Sequence, residues 1–316
     1  MAETKDNPTV SVIIPTYNRS QLVGRAIQSV LNQTYQDFDL IVVDDASTDN
    51  TEEVVKNFND ERIRYIRLEK NSGTSAVPRN TAIKVARCEY IAFQDSDDEW
   101  LPEKLEKQMT LFEIQPPEVG VVYTGFWKTS NRRKVYIPSS EITQKEGNIH
   151  RELLKRNFIG TPTSIVKREC FKKVGGFDEE LPQLMDWELW IRISKYYQFK
   201  CIDEPLVISY YTPGGVNEQG YLILAKTHKL ILKKHFESFK QDRGALANHY
   251  LGVGDLLCSS GEFIQGRNYL IKAAQAYPLN IKILGAALVS LLGQNIYFRA
   301  FSSYMKIKNW FCKEQF

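Results

Sequence analysis

Three carboxylates fall within four residues at Asp95-Ser96-Asp97-Asp98. Charges packed this closely repel one another unless a cation shares them. An oxygen-only donor set suits Mg2+ or Mn2+, particularly with phosphate oxygens completing the shell. Such a metal would neutralise a diphosphate as it leaves. The plainer alternative is an acidic turn capping a helix at Leu101-Pro102, since Asp favours helix N-termini. A second acidic pair, Asp44-Asp45, precedes Ser47-Thr48-Asp49. A carboxylate there can accept a hydrogen bond from an imide N–H such as that of uracil, whereas Ser47 and Asp49 read as helix caps. Pro15-Thr16-Tyr17-Asn18-Arg19 offers an aromatic face to a flat base, with Asn18 and Ser20 read as a turn into a capped helix. Gly73 and the Arg79-Asn80 pair that follows place a cation at a helix start, where a phosphate or a sugar hydroxyl binds. Downstream of Gly175-Gly176-Phe177-Asp178-Glu179, Asp186 opens a helix beside Trp187 and Trp190. A carboxylate in that partly dry setting can act as a general base or as an N-cap, with Glu188 the next candidate base.

The elements that must carry these residues alternate. Val10-Ser11-Val12-Ile13-Ile14, ending at Pro15, reads as a buried strand. Leu22, Val23, Ala26, Ile27, Val30 and Leu31 repeat at helical spacing, with Ser20 as the expected N-cap. Residues 39–43 form a second strand and a helix follows from near Asp49. Strands at 62–68 and 90–94 then flank a helix at 79–86. This β-α-β-α-β-α-β order predicts a mostly parallel sheet covered by helices on both faces. Ligands of such sheets bind outside the carboxyl ends of the strands. The loops after residues 14, 43 and 94 carry the polar motifs.

Residues 110–210 read as mixed strands and short helices. After residue 217 the pattern is almost wholly helical. Tyr250 to Leu257, Gly261-Glu262-Phe263 and Tyr269 to Pro278 look like one tetratricopeptide helix pair. The expected division is 8–215 and 216–316. Ile283, Leu284, Ala287, Leu288, Leu291 and Leu292 form an apolar stripe. Beyond it, Arg299, Lys306, Lys308 and Lys313 interleave with Tyr297, Phe298, Phe301, Tyr304, Trp310 and Phe311. The stripe suits docking on the preceding domain, a contact between two copies, or peripheral contact with an anionic membrane.

The 316 residues are 43% hydrophobic and 25% charged, an ordinary globular balance. A net charge of +3 is too mild to argue for nucleic acid as a partner. The five cysteines contain no Cys-x-x-Cys pair, so the expectation is reduced thiols and no zinc site. The polar first nine residues do not read as a signal peptide. The expectation from these readings is a cytoplasmic chain, either free or on the cytoplasmic face of the membrane.

The order of the motifs is more specific than any one of them. Val10 to Asn18, Asp44-Asp45, Arg79-Asn80, Asp95-Ser96-Asp97-Asp98 and the Gly-Gly-Phe-Asp segment with Asp186 resemble, in order, the family-2 inverting glycosyltransferases of GT-A fold, over about residues 8–212. The resemblance implies an enzyme that moves a sugar from a nucleotide-diphosphate donor, UDP-sugars foremost, to a hydroxyl of a glycan or lipid-linked acceptor. It places Pro15, Tyr17, Asp45, Arg79 and Asp97 at the donor, Asp95, Asp97 and Asp98 at a Mg2+ or Mn2+, and Asp186 as the catalytic base. One departure stands out: relatives often carry a His after the domain's last strand, where this chain has Thr212 in a glycine-containing loop ending at Gly215. The rival readings are a nucleotidyltransferase, which usually has a Gly-rich basic loop after its first strand, and a non-catalytic binding module.

Overall fold

The computed structural model describes residues 8–130, 133–212 and 220–300. The chain divides into two compact units, Met1–Gly215 and Val216–Phe316. In the first, β1 (Val10–Thr16), β2 (Phe38–Asp44), β3 (Ile63–Arg67) and β4 (Tyr90–Phe93) run parallel. They are separated by α1 (Val23–Leu31), α2 (Thr51–Lys56) and α3 (Ala76–Val85), and α5 (His150–Lys155) and α6 (Arg168–Val174) lie further along the same unit. The sheet order is β3-β2-β1-β4, continuing through β8 (Ser164–Lys167), β6 (Val119–Ser130), β9 (Gln198–Ser209) and β5 (Glu99–Trp100). A further strand, β7 (Arg133–Ile137), pairs with β6. β8 is antiparallel to both β4 and β6, whereas β9 is parallel to β6.

Every residue of β1 is buried, as expected for a central parallel strand covered on both faces. Val10, Val12 and Ile14 join Val23, Ala26, Ile27 and Val30 of α1 in one core. The alternate residues Ile13, Ile41, Val43 and Phe93 are equally buried on the other face, and α3 packs against β1 and β2. Since β1 lies between β2 and β4, strand order turns back there, and a crevice opens at the carboxyl ends.

Several boundaries differ from the sequence reading. β1 continues through Pro15, because its pairing with β4 stops at Ile13–Phe93 and only β2 flanks it beyond that point. Ser20 caps nothing; α1 begins after Leu22 with no side-chain cap, and the Ser20 N–H donates to Asp49 at 3.1 Å. Ser47 is not a cap either, whereas Asp49 accepts from the Thr51 N–H at 3.0 Å at the start of α2. α3 starts three residues early, with Pro78 in its first turn, where N–H groups have no intrahelical partner. Strand β5 separates the acidic motif from α4 (Lys104–Glu113), whose N-cap position is Glu103. Asp97 and Asp98 therefore cap no helix.

The second unit holds α8 (Tyr221–Lys234), α9 (Phe236–Gln241), α10 (Arg243–Ser259), α11 (Phe263–Ala276) and α12 (Ile281–Leu291). Asp242 and Asn280 cap α10 and α12 through Ala245 and Ile283. α10 and α11 approach so closely that a Cβ at Gly254 would meet Leu270 at 2.7 Å. Cys88, Cys170, Cys201 and Cys258 are unpaired; Cys312, like the aromatic and basic stretch beyond residue 300, lies outside the described residues.

Candidate active site

The first wall of the crevice is built where β1 and β2 end level, with Thr16 beside Asp44. The Asn18 N–H donates to Ser47 Oγ at 2.8 Å, and the Thr48 N–H donates to Asn18 Oδ1 at 2.8 Å. The two loops are thus stitched together. Asp44 serves this scaffold: fully buried, it accepts from the Ser47 N–H at 2.8 Å and from Tyr65 Oη at 2.5 Å, and it pairs with Arg67 at 3.5 Å. Burial together with that carboxylate raises the Tyr65 phenol above its ordinary value. Asp45 faces the other way, toward the turn before α3. It accepts from the Ser72 N–H at 2.9 Å, Ser72 Oγ at 2.8 Å and Asn71 Nδ2 at 3.1 Å. Pro15 is buried in β1, and Tyr17 beyond it is 42% exposed. Asn71 and Ser72 went unread in the sequence; the only local signal is the Asn-Ser-Gly turn they share with Gly73.

The second wall is the acidic motif after β4. Arg79, nearly buried, reaches across from α3 to Asp95 at 2.5 Å and donates to Ser75 Oγ at 2.6 Å. Asp98 is buried and accepts from the Tyr210 N–H at 3.0 Å, which fastens the motif to the end of β9. Burial raises the Asp95 carboxyl above its ordinary range, with Arg79 opposing and Asp97 adding to the rise. Burial and the two neighbouring carboxylates push Asp98 up further. Arg25 lies 4.0 Å over the Tyr210 ring and donates to the Asp97 carbonyl. No described residue donates to the partly exposed Asp97 carboxylate. Nothing in the sequence near Arg25 signals this role, because its partners lie 72 residues or more away.

Among the described residues no three His, Cys, Asp or Glu side chains converge as a cage for a metal. Mg2+ and Mn2+ do not need one beside a diphosphate, because one or two carboxylates with phosphate oxygens and water suffice. The mutual repulsion among Asp95, Asp97 and Asp98 and the unbonded Asp97 carboxylate fit a cation held from the protein side in that way.

The third element is the start of α7 (Met185–Ile193). Asp186 is not its N-cap but lies in its first turn. Its Oδ1 accepts from the Trp187 N–H at 2.8 Å and its Oδ2 from Asn157 Nδ2 at 3.1 Å. Asn157 Oδ1 in turn accepts from the Ile159 N–H at 3.2 Å, so the amide is oriented with its donor toward Asp186. Burial raises the Asp186 carboxyl above its ordinary value; Trp187, Asn157 and Arg79 counter the rise, and Asp95 adds a little. Met185 Sδ lies 3.2 Å from Ser75 Oγ, so α7 begins against the start of α3, beside the Arg79–Asp95 pair. Glu188, the reserve base, is occupied: Arg192 engages both its oxygens at 2.9 Å. Arg192 also donates to the Val174 and Gly176 carbonyls, which holds the glycine loop. Asn80 completes that loop, donating to the Phe177 carbonyl and accepting from the Phe177 N–H, both at 2.8 Å. A Cβ on Gly176 would meet Asn80 Oδ1 at 2.3 Å.

Non-glycine residues with left-handed backbone are Asn18, Ala46 and Leu184 among the described residues. Each sits within two residues of a site candidate: Tyr17, Asp45 and Asp186. Strained backbone of this sort concentrates where side chains are aimed for function.

Three carboxylate-bearing loops gather around the switch point of a mixed α/β sheet of GT-A type. Residues 11–175 match the family described as Glycosyl transferase family 2, and the chain belongs to that family. It is 33% identical to the Escherichia coli UDP-Glc:alpha-D-GlcNAc-diphosphoundecaprenol beta-1,3-glucosyltransferase WfgD over 208 residues, 65% of this chain and 78% of that one. The fold matches S. aureus TarS 1-349 in complex with UDP-GlcNAc, with a TM-score of 0.70 and 21% identity over 94% of this chain and 92% of that one. It also matches the Pyrobaculum calidifontis mannosyltransferase PcManGT in complex with GDP-Man and Mn2+, with a TM-score of 0.59 and 18% identity over 95% and 88%.

Proposed function

We propose that this glycosyltransferase is an inverting enzyme that carries a hexosyl or N-acetylhexosaminyl group from a UDP-sugar to a hydroxyl of a glycan or lipid-linked acceptor. The observation that carries the reading is the separation of two acidic groups. Asp186 is half-buried and oriented by its own neighbours, while Asp95, Asp97 and Asp98 form a distinct cluster across the Arg79 guanidinium. One carboxylate serves the nucleophile and the others serve the leaving group. The name of WfgD specifies a UDP-glucose donor and an alpha-D-GlcNAc-diphosphoundecaprenol acceptor. The TarS and PcManGT complexes hold a UDP-sugar and a GDP-sugar respectively.

In this reading Asp45 accepts the imide N–H of the base while Asn71 and Ser72 hold its carboxylate in place. Tyr17 lies against the base, with Pro15 fixing the turn beneath. Arg79 supplies positive charge beside the diphosphate. Asp97, with Asp95 and Asp98 beside it, would hold Mg2+ or Mn2+, which supplies charge neutralisation to the departing diphosphate. Asp186 takes the proton from the acceptor hydroxyl as that oxygen bonds to the anomeric carbon and the carbon–diphosphate bond breaks. Attack opposite the leaving group inverts the configuration. The test is calorimetry with a panel of UDP-, GDP- and dTDP-sugars, each with and without Mn2+. Metal-dependent binding of a UDP-sugar, weakened about tenfold or more in Asp97→Asn, is the expected result. Binding indifferent to both the metal and this substitution would overturn the metal assignment.

A further inference from the structure

Helix α12 is apolar around almost its whole circumference, and only part of it is covered. Ile283 and Ala287 are buried in a core with Ala247, Leu251, Leu270 and Ala273. The remaining apolar side chains, Ile281, Leu284, Leu288, Leu291 and Leu292, recur every three or four residues and are 40% to 87% exposed. A helix of a water-soluble unit ordinarily turns charges outward on that side. Here the outward side is leucine and isoleucine, with Lys282 the only charge on the helix.

The charge along this part of the sequence is one-sided. From Phe263 to Lys313 there are seven Lys and Arg residues and no Asp or Glu. Residues 216–316 carry 13 basic and 6 acidic side chains, whereas residues 1–215 carry 28 and 32. The mild net charge of +3 therefore conceals a cationic C-terminal region. A two-fold contact between copies would bring this face onto itself, setting two acid-free cationic segments against each other. Like charges so placed oppose association. An apolar stripe flanked by Lys and Arg instead complements an anionic lipid surface.

We propose that the exposed face of α12, with its flanking cations, docks on the surface of an anionic bilayer. No helix among the described residues is long and apolar enough to cross a membrane, so the contact lies at the interface. The inference is independent of which sugar is transferred.

Flotation of the full-length chain tests it, using vesicles of phosphatidylcholine alone and with about one part in four phosphatidylglycerol. The wild type should float with the anionic vesicles only and release at high salt. The triple variant Leu284→Glu, Leu288→Glu, Leu291→Glu should lose roughly tenfold or more of that binding with an unchanged melting profile. Because those substitutions can unsettle the unit if another segment covers the face, a second variant, Lys272→Glu with Arg299→Glu, changes only exposed cations and should also weaken binding. The proposal fails if the wild type ignores anionic vesicles or if neither variant weakens flotation. It fails equally if the leucine variant unfolds while the charge variant floats normally, which marks the face as covered by the chain's own residues 301–316. A concentration-dependent dimer abolished by the leucine substitutions would assign the face to a second copy.

Discussion

The Asp186 carboxylate is half-buried and carries two donors, and the balance between burial and hydrogen bonding sets its usefulness as a base. Burial favours its neutral form, whereas the Asn157 amide and the Trp187 N–H favour the charged form. The acid limb of the pH–rate profile should therefore lie above the ordinary carboxylate range. Asn157→Ala removes a donor to the charged form, so that limb should move to higher pH, while donor affinity stays unchanged. A profile unmoved by Asn157→Ala would deny Asn157 any part in tuning the base. The acidic motif was legible as a candidate because it is a dense local pattern, whereas Asp186, which reads equally as an N-cap, stood out only by its place in the order of motifs. Asn157, Arg25, Asn71 and Ser72 were not, because their importance arises from partners brought close only by folding. Asp44 shows the reverse: adjacent to Asp45 and alike in type, it turns inward to Tyr65 and Arg67.

At the scale of elements, the entry to α7 is aimed by contacts from elsewhere. Asn80, on α3, makes paired hydrogen bonds with the Phe177 backbone and donates to Glu179 at 2.8 Å. Arg192 braces the same loop from within α7. Asn80→Ala leaves the buried Phe177 N–H and carbonyl without these partners and should cost about 1–3 kcal/mol of stability, measured by urea unfolding. It should also lower turnover more than donor affinity, because the loop leads into Asp186. Full stability in that variant would mean that water replaces the amide. The β-α alternation of the first hundred residues was readable from period and β-branched runs. β5 was not, since two residues carry no period and its pairing with β9 is set by distant sequence. The missing cap of α1 likewise reflects loops tied to one another, Asn18 to Ser47 and Thr48, rather than to their own helix.

Across the whole molecule, the change from a mixed to a helical pattern after residue 217 was readable in the sequence, but not how α12 would divide its apolar residues between core and solvent. The helical unit also carries an acid-sensitive pair. The His249 Nε2–H donates to the His228 carbonyl at 2.8 Å, and the ring packs on Phe239. Burial pushes His228 down to about 3 and His249 down to about 4. Both folded values lie below the unfolded one near 6.5. The unfolded chain therefore binds more protons below that pH, and stability is lost as pH falls from about 6.5 toward 4. Asp255, pushed up to about 6 by burial, acts in the opposite sense over a narrower window. Hydrogen exchange at pH 5 should show amides of residues 221–297 losing protection, and His249→Gln should blunt that loss. The central claim is that donor handling and proton removal reside in separate groups, and Asp186→Asn tests it most directly. Calorimetry of UDP-sugar binding, run beside single-turnover transfer to a hydroxyl acceptor, should give an unchanged affinity with a rate lower by about a hundredfold or more. Near-normal turnover in that variant, or loss of donor binding equal to the loss of rate, would contradict it.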